Sequence, residues 1–186
     1  MGFVSLHVHP KFWKELNNMK KLSFIVLVFC LPLFIFACRQ GTPILKVGDP
    51  APDFSLVDRQ GKTWTLSELK GQVIFVNFWA TWCPPCLQEL PSMQKLYTIL
   101  PPDKFKMLAI LNKDETVLAD LVARQRGITI PILDDSQNIV GPNYSLTGLP
   151  ETFIINKEGK LVEKFIGPVQ WDASKYIQII MKYINQ

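Results

Sequence analysis

Asn77-Phe78-Trp79-Ala80-Thr81-Trp82-Cys83-Pro84-Pro85-Cys86 is the stretch that decides how this chain is read. It begins inside Val73–Trp79 (VIFVNFW), which is apolar apart from Asn77 and rich in β-branched and aromatic residues, the pattern of a strand buried on both faces. Beyond it, Leu87, Leu90, Leu96, Tyr97 and Leu100 predict the apolar side of a helix that Pro91 kinks and Pro101-Pro102 ends. The two cysteines therefore stand where a strand gives way to a helix. Cys83 falls at the helix N-terminus, where unsatisfied N–H groups and the positive end of the dipole favour a thiolate. Cys86 lies one turn inside, within disulfide reach but less exposed. Strand, C-x-x-C and helix together point to thiol–disulfide exchange, in which Cys83 attacks a substrate disulfide and Cys86 resolves the mixed disulfide.

Structural explanations of the same cysteines are weaker. A zinc site needs about four Cys or His ligands. After the N-terminal segment the chain has Cys83, Cys86 and, at its edge, Cys38, with no histidine. A staple closing so short a loop contributes about 2 kcal/mol, the low end for a disulfide. No metal site is expected.

Working outward, Asp53–Asp58 and Lys62–Leu66 alternate apolar and polar around Arg59-Gln60-Gly61, a hairpin, and Ser67 is placed to cap a helical turn through Lys70. Phe105–Leu111 reads as a second buried strand. Glu115–Arg126 reads as an amphipathic helix with Val117, Leu118, Leu121 and Val122 inward and Gly127 as its stop. Ile130–Leu133 is a short strand, and Asn138–Tyr144 a broken helical turn. Thr152–Asn156 and Leu161–Ile166 form a hairpin around Lys157-Glu158-Gly159-Lys160. Asp172 is placed to cap a last helix that buries Tyr176, Ile177, Ile180 and Ile184. This order predicts an α/β domain with a mixed central sheet and helices on both faces.

The N-terminal part has a different character. Leu22–Ala37 (LSFIVLVFCLPLFIFA) is uncharged and follows Met19-Lys20-Lys21, the arrangement of an export signal. As a helix it would span about 24 Å at 1.5 Å per residue, short of a bilayer core, and Pro32 interrupts it. The run ends Ile35-Phe36-Ala37-Cys38, which resembles a bacterial lipoprotein signal with Cys38 as the lipid-bearing residue; Phe36 is bulkier than that pattern prefers. An uncleaved anchor and ordinary secretion are the alternatives, and all three export the domain. Residues 1–18 precede what looks like a complete signal, so Met19 is expected to be the true start, an expectation that recovery of a peptide from residues 2–18 would defeat. The expected organisation is residues 1–37 as extension and signal, 38–46 as tether and 47–186 as the folded domain.

Of the 186 residues, 20 are Lys or Arg and 16 are Asp or Glu, a formal charge of +4. Without residues 1–37 the counts are 16 and 15, and both histidines, His7 and His9, are gone. A nearly neutral domain has no electrostatic footprint for nucleic acid.

The stretch Asn77–Cys86 resembles the active site of thioredoxin-fold proteins. Val47-Gly48-Asp49-Pro50-Ala51-Pro52-Asp53-Phe54 and Leu66-Ser67-Glu68-Leu69-Lys70-Gly71 resemble the leader of the TlpA/ResA-like branch, whose members are exported, membrane-tethered reductases. Gly148-Leu149-Pro150-Glu151-Thr152-Phe153 resembles that family's cis-proline loop. The resemblance implies a thioredoxin-like fold with an N-terminal β-hairpin extension and an inserted βα element. It implies a cis peptide at Leu149–Pro150, packed opposite Cys83, which exposes the Leu149 backbone to a substrate strand. It makes Trp82, Pro84, Pro85, Leu149 and Pro150 the supports of the catalytic pair. The expected partners are oxidised exported proteins, apocytochrome c C-x-x-C-H segments among them, and a membrane thiol donor of the DsbD/CcdA kind. No cofactor beyond the Cys83–Cys86 couple is expected, and the protein is expected to be a monomer.

Two departures matter. Thioredoxin proper has a buried Asp where this chain has Asn77, and Asn cannot take the Cys86 proton. The resemblance places the substitute acid after the next strand, at Asp114 or else Glu115; an acidic helix start explains those residues equally. Pro84 and Pro85 lack N–H groups, so only Cys86 and later residues can donate to the Cys83 sulfur. With no Lys, Arg or His between the cysteines, a reducing couple is expected. A peroxiredoxin shares the leader, but Val76 and Ala80 stand where its Pro and Thr belong. A copper chaperone of the Sco type needs a distal His. A disulfide oxidase or isomerase, and a non-enzymatic polypeptide-binding module, stay open.

Overall fold

A computed structural model of the chain describes residues 44–186. The expectations for the signal, for Cys38 and for the start at Met19 lie outside the described residues. Among those described, no helix is long and apolar enough to cross a membrane.

The strands are β1 (Ser55–Val57), β2 (Thr63–Thr65), β3 (Val73–Trp79), β4 (Phe105–Asn112), β5 (Ile132–Asp135), β6 (Glu151–Ile155) and β7 (Leu161–Ile166). The helices are α1 (Pro84–Ile99), α2 (Thr116–Arg126) and α3 (Ser174–Ile184), with a single 3-10 turn at Leu66–Leu69. β1 and β2 form a separate antiparallel hairpin, and the central sheet runs β5-β4-β3-β6-β7. β3 is parallel to β4 and antiparallel to β6, so this is the expected mixed sheet. Every residue of β3 is buried, as its composition predicts.

Alternate residues of the central strands feed two apolar layers. Phe75, Met107, Ala109 and Leu111 face a layer completed by α1, α2 and α3. Val76, Phe78, Leu108 and Ile110 face a second layer closed by Phe54, Trp64, Leu66 and Tyr144. Its cover is the 3-10 turn, the hairpin and the Val140–Leu146 loop, so the helical cover of this face is a single short turn. Both the N-terminal hairpin and the inserted α2–β5 unit are present.

Three local expectations are corrected. In α2 the buried residues are Ala119 and Ala123, while Val117, Leu118 and Leu121 are exposed and Val122 is half-buried. The small alanines let the helix lie close to the sheet. Asp172 does not cap α3; the cap position is Ala173, and the Asp172 carboxylate accepts from Lys95 and Gln170 instead. Ser67 does not cap the 3-10 turn, whose N-terminal donor Ser67 N–H is met by the Asp53 carboxylate. Gly127 does end α2, in the left-handed conformation at φ 64° that glycine adopts without strain. Pro91 lies inside α1, which continues to Ile99.

Candidate active site

β3 delivers the chain to the top of the sheet at Trp79, and four residues later Cys83 is the N-cap of α1. Pro84 and Pro85 occupy the first helical positions, where a missing N–H is harmless. The Cys86 N–H donates to the Cys83 sulfur at 3.3 Å, the first amide able to do so. Cys83 and Cys86 form a disulfide with Cα atoms 5.3 Å apart. Cys83 retains 4% of its surface and Cys86 none, so the attacking cysteine is the less covered of two buried residues.

The loop before Cys83 is held from the turn that follows β4. The Asp114 carboxylate accepts from the Thr81 and Glu115 N–H groups, and the Trp82 indole donates to the Lys113 carbonyl. Asp114 thus ties the C-x-x-C loop to the start of α2. Trp82 is 60% exposed, an unusual position for so large an apolar surface and one suited to meeting a partner.

Leu149–Pro150 is a cis peptide. Glu151, the next residue, pairs with Phe78 near the end of β3, which brings the loop to the same end of the sheet as the cysteines. Leu149 packs against the apolar layer that contains Cys83 and Cys86. Its own N–H and C=O find no hydrogen-bond partner among the described residues, whereas the Pro150 carbonyl accepts from Gly167. An extended polypeptide can therefore pair with Leu149 beside the disulfide.

One residue of the site escaped sequence reasoning. Glu89, one turn beyond Cys86 on α1, is 3% exposed. Positions three apart on a helix share a face, so its carboxyl lies on the Cys86 side, at the back of the disulfide. Oε1 accepts from Asn77 Nδ2 at 2.8 Å; Oε2 accepts from the Val169 N–H at 3.1 Å and the Trp171 indole at 3.3 Å. Ser92 fastens the same segment, donating to the Glu89 carbonyl and accepting from the Trp171 N–H. Burial pushes the Glu89 carboxyl up to about 7 against the three donors that favour its charged form. Asn77 also donates to Thr152 Oγ1, and its own Oδ1 is buried with no partner. The signal for Glu89 was Asn77 itself, a polar side chain on a wholly buried strand that requires a polar partner.

No group of side chains suited to holding a metal occurs among the described residues. What the site can do is exchange disulfides: a sulfur at a helix N-terminus, a deeper sulfur, an enclosed carboxyl behind it and an open main-chain edge at the same end of the sheet. Fold and site together define a thioredoxin-fold thiol–disulfide oxidoreductase.

Comparison with known proteins makes the assignment more particular. The family model described as AhpC/TSA family matches residues 47–164. The thiol–disulfide oxidoreductase ResA of Geobacillus thermodenitrificans is 40% identical over 165 residues, covering 87% of this chain and 94% of the relative. A putative thiol:disulfide interchange protein DsbE from Chlorobium tepidum superposes with a TM-score of 0.68 at 28% identity, covering 75% of this chain and 99% of that one. The exposed lipoprotein thioredoxin Etrx1 of Streptococcus pneumoniae has a TM-score of 0.59 at 29% identity, covering 70% and 99%. The chain belongs to the ResA/TlpA-like family of thioredoxin-fold thiol–disulfide oxidoreductases.

Proposed function

We propose that this protein is held at the outer face of a membrane and reduces disulfides in exported proteins. The observation that carries the exchange step is Glu89, a carboxyl enclosed on the Cys86 side of α1; the reducing direction is supported by the lack of any cation between Cys83 and Cys86. In the reduced protein the Cys83 thiolate attacks one sulfur of a substrate disulfide, and a mixed disulfide forms as the other substrate sulfur leaves as a thiolate. Glu89 accepts the Cys86 proton, and the resulting thiolate attacks Cys83. The second substrate sulfur departs, two electrons have passed to the substrate, and the Cys83–Cys86 disulfide remains. Asp114 serves the C-x-x-C loop by position, through the bond it accepts from the Thr81 N–H, and Glu115 stands at the N-cap of α2.

Export is supported by the apolar run 22–37 and by Cys38 at its end. The ResA match covers 87% of the chain, more than residues 44–186 can supply, so it extends into the segment before the domain. Etrx1 is by its description an exposed lipoprotein. A lipid on Cys38 is the favoured attachment. The physiological substrate is an oxidised polypeptide, with the C-x-x-C-H segment of apocytochrome c the leading case, and a membrane thiol donor of the DsbD/CcdA type returns the electrons. The protein works as a monomer with no cofactor beyond its cysteine pair.

Reduction of insulin disulfides by the full-length chain tests the activity. Wild type should be active and Cys83→Ala inactive; equal rates in wild type, Cys83→Ala and Cys86→Ala would leave only a polypeptide-binding module. Cys86→Ala should retain its natural substrate as a mixed disulfide on Cys83, and the trapped partner names the pathway.

A further inference from the structure

Glu151 is a carboxylate with no solvent exposure, at the first position of β6. Burying a carboxylate is unfavourable unless hydrogen bonds and an opposite charge meet it. Here both do. Oε1 accepts from the Thr147 N–H at 2.9 Å, from the Thr147 hydroxyl and from the Gly148 N–H at 3.1 Å. Oε2 faces the Lys164 ammonium at 2.9 Å, an ion pair rather than an aligned hydrogen bond. Lys164 comes from β7, and its ammonium also lies over the Phe153 ring.

All the loop donors that meet this carboxylate belong to the two residues before Leu149, the residue whose N–H and C=O are left free. The backbone of Glu151 is at the same time locked into the sheet between Phe78 and Ile166. The side chain therefore ties the loop rigidly to the central strands just where an incoming strand must pair. A general contribution to core stability would not require three donors from one exposed loop to converge on one oxygen.

We propose that Glu151 is a positioning residue for polypeptide substrates: it fixes Thr147 and Gly148 so that the Leu149 backbone is presented as a ready docking edge, and Lys164 balances its buried charge. The substrate class this edge serves is an extended main chain carrying the disulfide. A small disulfide, which makes no strand pairing, does not use it. The inference rests on the reductase reading above and adds how the substrate is held.

The test uses the full-length chain, with insulin as the polypeptide probe and bis(2-hydroxyethyl) disulfide as the small one. Glu151→Ala leaves the loop donors unmet and should raise KM for insulin about tenfold or more, with the small-disulfide rate within about twofold of wild type. Glu151→Gln keeps an acceptor for the loop but turns an amide N–H₂ toward the Lys164 ammonium, and should raise KM about threefold. Glu151→Gln combined with Lys164→Met removes that conflict and should return KM to within about twofold of wild type. A folded Glu151→Ala with unchanged KM, or with both substrates slowed equally, overturns the proposal. Should Glu151→Ala fail to fold, an unchanged KM in Glu151→Gln, or no rescue in the double variant, overturns it. Wild type inactive on insulin would instead defeat the reductase reading itself.

Discussion

Replacing Glu89 by Gln should separate the stability of this domain from its chemistry. Burial holds the Glu89 carboxyl at about 7, against 4.5 when exposed. The folded state therefore keeps this proton where the unfolded state has lost it. The stability linked to the neutral carboxyl is fully present below pH 4.5 and is lost as pH rises through 7. Its size is about 3 kcal/mol, at roughly 1.4 kcal/mol for each pH unit of the displacement. The new amide oxygen keeps the Val169 and Trp171 donors, while its nitrogen faces Asn77, whose amide must turn over to accept and so gives up its bond to Thr152 Oγ1. Urea denaturation of the oxidised wild type and Glu89→Gln between pH 4.5 and 8.5 measures the effect. Other carboxyls titrate alike in both proteins and cancel. Between pH 4.5 and 8.5 the variant should gain up to about 3 kcal/mol on wild type, over the constant cost of turning Asn77. Insulin reduction should fall in the variant, and its pH dependence between 6 and 8 should flatten. Parallel stability curves across the whole range would refute the enclosed, proton-binding carboxyl.

Two further outcomes follow from the same geometry. Ala119→Leu forces extra volume between α2 and the sheet and should destabilise by about 1–3 kcal/mol, whereas Leu121→Ser on the exposed side should change stability by less than about 0.5 kcal/mol, both read by thermal melting. With only the Cys86 amide on the Cys83 sulfur and no cation between the cysteines, the couple should equilibrate with dithiothreitol or glutathione nearer about −270 mV than about −120 mV, and a value above about −150 mV would overturn the direction of electron flow.

Much of this protein was legible from residue pattern because its strongest features are local. VIFVNFW declares a doubly buried strand, Trp82–Cys86 declares a redox turn, and Gly127 stops its helix where expected. What pattern misread was set by distant neighbours. Val117, Leu118 and Leu121 look like a core stripe, but the side of α2 that meets the core carries Ala119, Ala123 and, in part, Val122. Glu89 looks like a solvated helix residue, because an acid among Gln88, Leu90 and Pro91 carries no local sign of burial. Its burial is decided by Trp171 and Val169, which lie some eighty positions away. Asp172, acidic before a helix, looked like a cap until Lys95 claimed it.

The strap from Val169 to Trp171 has a consequence for the protein's biogenesis. The thiols are made early in the chain, but the wall that encloses Glu89 is made almost last. A nascent or truncated polypeptide ending before residue 169 carries both cysteines beside an acid open to water, which ionises freely and lacks the raised affinity for a proton. The enclosed, proton-holding form of Glu89 thus arrives with the strap just before α3. Completion of the chain is what arms the site.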